Sequence, residues 1–494
     1  GLCIPLEDVL ATHFYEADKG SESGVVVICY SLDEQKRRKR RALFFLLPRD
    51  RAREAFSSVQ ATRKLPIPPH SPVLRQTRRV LVLTNPFSGR KQALPLWTRH
   101  ALPILSQVPD LDCQLLLTQK AGHATEVVKS LDLNEYDMIV INSGDGLVSE
   151  VLAGLLVRRD LRRALRIPLA HFPGGTSNAL AASLCYASGA PFNNRATLSR
   201  EVALMIAQPR FVSMQLYRVE IAGGRTLPMF LSTTWGFIAD IDIESERFRC
   251  VGEMRLTLEA LVKIAKLPSV AKFSGRIWYL PADSAPPPSK RRLGYSSDRR
   301  EFGENHFNYE EVTPQTQEEM EEEKQLEGQF FPSLSASLES LGSRLLPPLS
   351  QPIDDPRFVC LEGVFLSVCL TTLSHIGTDQ PYLPITRLDE DILYLTVVDW
   401  KDIKSRLQIL NLLMSMESSG HLEEDFFQVI PVRAARIEPL NGLGNVAVDG
   451  EACGKGIAFQ AEALPVRATV AQRWRPSPAV AARTSRNASS TTRF

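Results

Sequence analysis

Three short glycine-containing turns carry residue types that bind phosphate groups. They are Asn85-Pro86-Phe87-Ser88-Gly89-Arg90-Lys91, Ser143-Gly144-Asp145-Gly146 and Pro173-Gly174-Gly175-Thr176-Ser177-Asn178. Glycine lets backbone N–H groups approach phosphate oxygens, and a helix that begins at such a turn adds a partial positive charge. One turn alone is weak support, because glycine also serves turn geometry, but three in succession favour nucleotide binding. The chain lacks the GxxxxGK and GxGxxG patterns, which disfavours P-loop and ordinary Rossmann chemistry.

The segments around these turns predict the framework that positions them. Apolar runs that end at the turns read as strands covered on both faces, and amphipathic segments between them read as helices. Strands that alternate with helices need crossover connections, so we expect a parallel α/β sheet. The predicted strands are RVLVLTNP, LDCQLLLT, DMIVIN and IPLAHF, and the predicted helices are GHATEVVKS, LVSEVLAGLLVRR and a segment from about Asn178.

The rest of the chain divides by composition. Residues 1–75 predict short strands (GVVVICYS and RALFFLLP) joined by a basic hinge, then a helix; this pattern is compatible with a small β module of pleckstrin-homology type. Residues 76–210 are predicted to form the α/β nucleotide domain. Residues 211–473 are mostly strands and predict an antiparallel β-sandwich, interrupted by helices at 253–267 and 401–416. The polar segment 282–350 reads as a disordered insertion and the tail 474–494 as similar.

Composition narrows the classes of protein. The chain has 494 residues, 44% hydrophobic and 23% charged, with a formal net charge of +2. That near balance argues against a dedicated nucleic-acid binder. The longest nearly apolar stretch, 359–373, contains Glu362 and is too short for a membrane span, so we expect a soluble protein. The eight cysteines form no CxxC pair, which fits a reducing compartment such as the cytoplasm. The chain begins at Gly1, so a longer N-terminus stays open.

Five motifs, in order, resemble those of sphingosine kinases within the diacylglycerol-kinase-like lipid kinase superfamily. They are SGDGLVSEVLAGL, HFPGGTSNALAASL, WGFIADIDIESERF, GEMRLTLEAL and VDGE. The match covers roughly residues 79–281 and 355–473. The resemblance implies a phosphofructokinase-like α/β domain followed by a β-sandwich, with nucleotide between them and lipid inside the second. It also implies ATP as phosphate donor and Mg²⁺ as cofactor, since a cation that bridges phosphate oxygens manages the charge of phosphoryl transfer.

The resemblance assigns the catalytic and nucleotide-binding positions residue by residue. Asp145 becomes the base that accepts or orients the substrate hydroxyl proton for attack on the γ-phosphorus; the alternative is an aspartate that only forms the turn. The forked donors of Arg249 and Arg255 would neutralise developing charge. Glu150, which follows the second glycine turn, is also assigned to the nucleotide side. The implied nucleotide-binding residues are Asn85, Thr118, Gly144, Gly146, Glu150, Gly175, Thr176, Asn178, Arg249, Arg255 and Glu451. The sequence does not say which carboxylates hold the metal.

The resemblance also implies a lipid site. Asp242 matches the acid that contacts the amino and hydroxyl head group, and a carboxylate facing an ammonium separates an amino alcohol from a neutral glyceride. The helix at 253–267 would be a lid. The other implied substrate-binding residues are Ser232, Phe237, Ile238, Leu256, Ile409, Leu412, Leu413 and His421. Core packing is the alternative for the apolar members, and a satisfied structural histidine for His421.

These observations predict phosphorylation of the primary hydroxyl of sphingosine or a related long-chain base to its 1-phosphate. The alternatives are a ceramide or diacylglycerol kinase, or a non-catalytic, membrane-associated lipid-binding scaffold. The basic run Lys36-Arg37-Arg38-Lys39-Arg40-Arg41 is read as attraction to an anionic, peripheral membrane surface, as nuclear import, or as a solvated hairpin loop. The basic helix at 253–267 is also similar to a calmodulin target, although a lid explains it more simply. A homodimer is a further expectation.

Overall fold

The computed structural model describes residues 4–16, 22–35, 37–62, 67–71, 75–87, 91–245, 247, 254–266, 272–282, 308–316, 319, 321, 333–342 and 345–473, with side chains of 61–62 and 254–257 excepted. Within them, no helix combines the length and apolar character needed to cross a membrane.

A three-stranded antiparallel sheet opens the chain, in the order β1-β2-β3. Its strands are β1 (Val9–Glu16), β2 (Glu22–Leu32) and β3 (Arg38–Pro48), and helix α1 (Arg49–Thr62) follows directly. The predicted helix is thus confirmed, while a third strand, β1, is additional to the prediction. The placement of the whole basic run in a hinge is wrong, because residues 38–41 begin β3; Lys36 lies outside the described residues. The likeness to a pleckstrin-homology module stays a prediction.

Buried charges attach this N-terminal sheet to the α/β region. The side chain of Arg38, at the start of β3, is only 8% exposed and donates from Nε to a Glu201 carboxylate oxygen at 3.0 Å. Arg473, near the end of the last strand, reaches the other oxygen of Glu201 at 3.1 Å. Arg38 also pairs with Asp8. Because each buried charge faces an opposite one, three distant parts of the chain are held at one point.

The α/β region contains the predicted parallel sheet, in the spatial order β5-β4-β6-β7. The strands are β4 (Arg78–Thr84), β5 (Leu111–Leu117), β6 (Met138–Ser143) and β7 (Leu169–Pro173). Every residue of β6 and β7 is buried, as expected for strands covered on both faces. The helices are α2 (Ala93–Leu96), α3 (Leu102–Leu105), α4 (His123–Ser130), α5 (Asp145–Leu156), α6 (Leu161–Ala164), α7 (Ala179–Ala187) and α8 (Arg195–Ala207), with a π-helical turn at Trp97–Ala101 between α2 and α3.

The C-terminal region is rich in antiparallel strands, as predicted, but it is hydrogen-bonded to the parallel sheet in one mixed sheet. Its last strand, β19 (Phe459–Arg473), pairs in antiparallel fashion with β16 (Phe427–Pro439) and β8 (Pro209–Ile221), and in parallel fashion with β7 at Val470 and Leu169. The strands are β8 (Pro209–Ile221), β9 (Arg225–Met229), β10 (Ser232–Gly236), β11 (Phe273–Pro281), β12 (Val359–Thr371), β13 (His375–Gly377), β14 (Gln380–Pro381), β15 (Leu393–Asp399), β16 (Phe427–Pro439), β17 (Asn445–Val448), β18 (Glu451–Lys455) and β19 (Phe459–Arg473). The sandwich geometry and the domain boundaries stay predictions.

Four further helices belong to this region or to the insertion: α9 (Phe237–Glu244), α10 (Met254–Lys266), α11 (Leu334–Ser340) and α12 (Arg406–Ser415). α12 begins later than the predicted residue 401, because Ser405 and Gln408 form a capping box at its start. Short 3-10 turns lie at Leu6–Asp8, Trp400–Asp402, Met416–Ser418 and Gly420–Glu423.

The prediction of disorder throughout 282–350 is wrong for the described part of that segment. Tyr309, Leu338 and Leu346 are buried; the first two pack in the core of the α/β region, and Leu346 packs in a smaller cluster with Leu280 and Phe358. The backbone N–H of Val312 donates to the carbonyl of Phe211 at 2.8 Å. Scattered apolar residues therefore anchor these stretches although they show no sustained periodicity in the sequence. The rest of the insertion lies outside the described residues, as does the tail.

Candidate active site

The second and third glycine turns touch each other backbone to backbone. They follow β6 and β7, which are parallel neighbours, so both turns lie at the same edge of the sheet. The N–H of Gly174 donates to the carbonyl of Ser143 at 3.0 Å. A Cβ placed on Gly175 would lie 2.2 Å from the Cα of Gly144. Glycine at position 175 is therefore a requirement of close approach between the two turns.

Asp145 sits at the junction of these turns and is almost fully buried. Its two carboxylate oxygens accept hydrogen bonds from the backbone N–H groups of Ala179 at 2.9 Å and Leu180 at 3.0 Å, the first residues of α7. A carboxylate at a helix N-terminus is favourable electrostatically. Each oxygen keeps a second acceptor position, and the side chain remains 8% exposed. Asp145 thus anchors a helix and still borders a cavity.

His171 supports Asp145 from the strand side. Burial lowers the pKa of His171, although the Asp145 carboxylate and the Ser143 carbonyl act against that change. Its Nδ1 accepts from the N–H of Ala181 at 3.2 Å, so Nε2 is the nitrogen that donates to the Ser143 carbonyl at 2.9 Å. The histidine is therefore neutral, and its 3.7 Å approach to Asp145 is not an ion pair.

A cavity of about 560 Å³ opens beside these turns and has two chemically different kinds of wall. The glycine turns and the turn that follows β17 supply polar groups, and helices α9, α10 and α12 supply mostly apolar ones. Its volume falls within the ~300–1,000 Å³ typical of small-molecule sites. The lining includes Gly144, Asp145, Gly146, Thr176, Ser177, Ser232, Ile238, Ile241, Asp242, Leu261, Ile376, Gln380, Tyr382, Leu410, Leu413, Met414, Met416, Glu417, Asp449, Gly450 and Glu451.

The tight turn between β17 and β18 brings two more carboxylates to this cavity. Asp449 adopts a positive φ of 49° and accepts backbone N–H bonds from Phe230, Leu231 and Ser232 at 2.9–3.1 Å. Burial raises the pKa of Asp449 to about 7 and the Asp145 carboxylate adds to the rise, while the three N–H donors oppose it. Glu451 is exposed, and a Cβ on Gly146 would lie 3.5 Å from its Oε1.

Helices α9 and α10 form the opposite wall. Asp242 on α9 borders the cavity beside the β17–β18 turn, where a Cβ on Gly450 would lie 3.7 Å from its Oδ2. α10 is tied to α9 because the buried Lys263 ammonium lies 2.9 Å from Glu244 and 3.5 Å from Asp240. Leu261 on α10 lines the cavity and is 47% exposed. The helix predicted at 253–267 is thus present as α10 and borders the cavity, while its role as a lid stays a prediction.

The structure brings many predicted site residues to the cavity wall and leaves others elsewhere. Those on the wall are Gly144, Asp145, Gly146, Thr176, Glu451, Asp242, Ser232, Ile238 and Leu413. Those that do not reach the wall are Asn85, Thr118, Glu150, Gly175, Asn178, Phe237, Ile409, Leu412 and His421. Arg249 lies outside the described residues, as do the side chains of Arg255 and Leu256.

The residues off the wall have structural contacts that explain their positions. Asn178 is fully buried with φ 58°, and its side chain bonds Gly175, closing the third turn. Glu150 accepts from the N–H of Ala124 at 3.2 Å and so joins α5 to α4. His421 is fully buried, stacks on Tyr382 and bonds its carbonyl at 2.8 Å; burial lowers its pKa to about 4. The Nε2 of His421 is thus engaged within the core, and a contact of His421 with substrate stays a prediction.

Three polar residues near the site were missed by the sequence reasoning. Asp449 was available in the VDGE motif, beside Glu451, but nothing in the pattern showed its burial. His171 lies within the strand IPLAHF and looked like core. Thr378, in the β13–β14 turn, donates to the Ser177 carbonyl at 3.1 Å and accepts from Asn178 Nδ2 at 3.3 Å. No sequence signal links Thr378 to the third turn, because about two hundred residues separate them.

The acidic side of the cavity is suited to a magnesium–nucleotide complex. Mg²⁺ in kinases is held by one or two carboxylates together with substrate phosphates, not by a complete protein cage. Within the described ranges, no group of three or more His, Cys, Asp and Glu side chains forms such a cage. Glu451 is exposed beside Gly146 at the junction of the glycine turns. This part of the cavity fits Mg²⁺ that enters bound to the nucleotide phosphates, and Glu451 is the accessible carboxylate that could hold the ion.

Comparison with known proteins gives a consistent assignment. Residues 79–206 match the diacylglycerol kinase catalytic domain family. Human sphingosine kinase 1 is 32% identical over 77% of this chain and 87% of its own length. Arabidopsis thaliana sphingosine kinase 2 is 36% identical over 78% and 70%, respectively. A solved diacylglycerol kinase from Bacillus anthracis str. Sterne aligns with a TM-score of 0.41 and 15% identity over 82% of this chain and 99% of its own, too weakly to carry an argument. On the sequence relatives, this chain belongs to the sphingosine kinase family.

Proposed function

We propose that the protein transfers the γ-phosphate of ATP to the primary hydroxyl of sphingosine or a related long-chain base. The observation that carries the proposal is one cavity that joins Asp145 and two glycine turns to Asp242 and an apolar helical wall. Curated relatives named sphingosine kinase or sphingoid long chain base kinase support the substrate class. This is lipid-kinase chemistry, with the reacting oxygen at the boundary of the polar and apolar walls.

In this proposal Asp145 orients the substrate hydroxyl and accepts its proton as the oxygen bonds to the γ-phosphorus; the bond from that phosphorus to the β–γ bridging oxygen breaks, and ADP leaves. Its two helix contacts fix the carboxylate, so little reorganisation is needed during the reaction. Backbone groups of Gly144, Gly146 and Thr176 face the nucleotide phosphates. Glu451 would hold Mg²⁺ together with the nucleotide phosphates, and the cation would supply charge neutralisation at that place.

At the lipid end, Asp242 contacts the ammonium and hydroxyl head group, and the apolar wall covers the hydrocarbon chain. An ammonium lost from water needs an opposite charge in the pocket, which a neutral glyceride does not. Leu261, Leu410 and Leu413 supply apolar surface, and each buried methylene contributes about 0.8 kcal/mol.

The test of the reaction is phosphate transfer from labelled ATP to sphingosine in mixed micelles, with Asp145→Asn beside the wild type. Asparagine keeps one acceptor oxygen for the start of α7 but loses the proton acceptor, so we expect kcat to fall by about 10²-fold or more. Asp112→Asn, an exposed carboxylate outside the cavity, is the matched control. A folded Asp145→Asn protein with unchanged turnover would remove Asp145 from this role.

The rival substrates are ceramide and diacylglycerol, and Asp242→Ala discriminates among them. We expect this variant to lose most activity on sphingosine, since the ammonium would face no carboxylate. A kinase for neutral lipids would barely respond, so retained sphingosine activity counts against the amino-alcohol assignment. A non-catalytic scaffold is less well supported, because Asp145, Gly146 and Glu451 all border the cavity; it predicts no thermal shift with ATP.

We also propose peripheral association with membranes through β3. This edge strand carries exposed Phe44 and Leu46, at 61% and 62%, a few residues beyond its basic beginning. Apolar side chains beside cations suit an anionic lipid surface, at about 1 kcal/mol per basic residue. The fraction of protein that sediments with anionic vesicles should fall for the double variant Phe44→Ser/Leu46→Ser. It should stay unchanged for the control Leu102→Ser, which changes an exposed leucine elsewhere. Calmodulin binding, a homodimer and the cellular compartment stay predictions; the burial of Lys263 weakens the basic face that calmodulin would need.

A further inference from the structure

Asn142 is a fully buried amide in the row of residues from which the glycine turns begin. The parallel pairing places Thr84 of β4, Asn142 of β6 and Phe172 of β7 side by side in register. Each of the three is followed directly by a glycine turn, at residues 85–91, 143–146 and 173–178. Residues 138–141 of β6 are all apolar and buried. The amide therefore lies at the point where a wholly apolar strand segment meets the turns.

The Asn142 side chain joins the two ends of the first turn. Its Nδ2 donates to Thr84 Oγ1 at 3.0 Å and to the Ala93 carbonyl oxygen at 3.3 Å. Thr84 comes immediately before that turn, and Ala93 begins α2 shortly after it. Because a carbonyl oxygen can only accept, the nitrogen of the amide and not its oxygen faces Ala93. One side chain thus holds both ends of the first turn against β6.

The same side chain contacts the third turn. A Cβ on Gly174 would lie 3.0 Å from Asn142 Oδ1 and 2.8 Å from the Cβ of Ala93. Asn142 also precedes Ser143 of the second turn, whose carbonyl accepts from the Gly174 N–H at 3.0 Å. The three glycine turns therefore meet around one amide group.

This amide has a cost that packing alone does not explain. Asn142 Oδ1 is buried and accepts no hydrogen bond from any described residue. A buried acceptor without a partner costs about 1–3 kcal/mol, which an apolar side chain at the same position would avoid. The two bonds donated by Nδ2 are what the amide provides in return, and both go to the ends of the first turn.

We propose that Asn142 is a positioning residue for the nucleotide phosphates. It holds the first glycine turn against the second and third, so that the three turns form one phosphate-binding edge. Asn142 is not on the wall of the cavity, so it acts through the turns and not by contact with substrate. The inference rests on the proposed function, because it places the nucleoside triphosphate along this edge. Loss of the amide should therefore weaken nucleotide binding much more than lipid binding.

The test is calorimetric titration of a non-hydrolysable ATP analogue with Mg²⁺ into the full chain, together with steady-state kinetics on sphingosine. Asn142→Ala should raise the Kd of the analogue by about tenfold or more, the scale of one lost hydrogen bond. The KM for sphingosine should stay near the wild-type value. Thr84→Val keeps the shape and removes one of the two acceptors, so its effect on Kd should be smaller. The double variant should bind like Asn142→Ala, because both changes remove the same bond.

Gln215→Ala is the matched control. Gln215 is a buried amide of β8, and its Nε2 donates to the carbonyls of Leu216 and Leu464 at 2.8 and 2.7 Å, away from the glycine turns. Like Asn142→Ala, it should lower the free energy of urea unfolding, but it should leave the Kd of the analogue unchanged. If Asn142→Ala does not fold, Thr84→Val carries the comparison.

The outcomes separate the inference from the proposed reaction. A wild-type Kd in the folded variants, or an equal rise in Gln215→Ala, would overturn the role of Asn142 and leave the kinase reaction intact. Analogue binding that depends on Asn142, without phosphate transfer to sphingosine in the wild type, would overturn the reaction alone. A wild type that does not bind the analogue would count against both.

Discussion

Replacing Gly175 by alanine should separate the two glycine turns, and the geometry sets the size of the effect. The added Cβ would lie 2.2 Å from the Cα of Gly144 and 2.6 Å from its nitrogen. Both are backbone atoms, so no side chain can rotate away. Reaching an ordinary contact of 3.4 Å requires about 1.2 Å of movement between the turns.

That movement has a structural and a kinetic cost. Overpacking of a tight site typically destabilises a protein by about 1–3 kcal/mol. Asp145 begins the helix after one turn and accepts hydrogen bonds from the helix after the other, so the shift also displaces the carboxylate. A misplacement near 1 Å reduces turnover by about 10²-fold. We therefore expect Gly175→Ala to lower kcat strongly while the protein stays folded.

The assay combines steady-state kinetics on sphingosine and ATP with urea unfolding. Gly146→Ala is the matched comparison in the same site, because its Cβ meets only Glu451 Oε1, at 3.5 Å, and should not lower stability. If phosphate approaches the Gly146 backbone, that variant raises the KM for ATP without the loss of stability. Wild-type kinetics and stability for Gly175→Ala would refute the direct contact between the turns.

Three further outcomes follow from the described contacts. Thr378→Val should raise the KM for ATP more than the KM for the lipid, and it should lower the free energy of unfolding by about 1–3 kcal/mol, because Ser177 and Asn178 lose their hydrogen-bond partner. Thr378→Ser should restore the KM for ATP and the stability in the same kinetic and unfolding assays. Burial raises the pKa of Glu390 to about 7, so the stability that its protonated form provides is full below pH 4.5 and is lost as pH rises through 7. The free energy of urea unfolding should therefore drop between pH 5 and pH 8, and Glu390→Gln should reduce that drop by up to ~3 kcal/mol. An equal drop in the wild type and the variant would count against this role of Glu390. Burial lowers the pKa of His70 to about 4, so its neutral form stabilises the fold fully above pH 6.5 and this contribution disappears as pH falls toward 4; His70→Gln should weaken that acid sensitivity in thermal melts.

The α/β region was the most predictable part of the fold. Continuous apolar runs that end at glycine turns specify buried parallel strands, and β6 and β7 follow that rule without exception. The described stretches of the insertion were missed because single side chains, such as Tyr309 and Leu338, anchor them. Periodicity detects a repeated face, and it does not detect one aromatic ring that fills a gap. The join between the sheets at β19 also depends on partners far away in sequence.

The candidate site was predictable where a motif is contiguous and less so where it is assembled from distant segments. Asp145, Asp242 and Glu451 each stand in a short motif and reach the same cavity. Asn178 was assigned to nucleotide, yet its amide closes its own turn. The role of Thr378 depends on a contact between two loops, and a single sequence contains no signal for such a contact. Local chemistry was therefore visible before the contacts that orient it.

The long pairing of β19 with β8 has a consequence for how the protein is made. Arg467 and Gln215 are hydrogen-bonded neighbours although 252 residues separate them, and β19 also borders β7. During synthesis, the edge of the parallel sheet at β7 stays unpaired until β19 has emerged from the ribosome. Contacts between residues so far apart in sequence form slowly, and apolar surface of the chain stays exposed until they have formed. The nascent chain is thus expected to depend on chaperones during synthesis more than its short-range α/β contacts alone would imply.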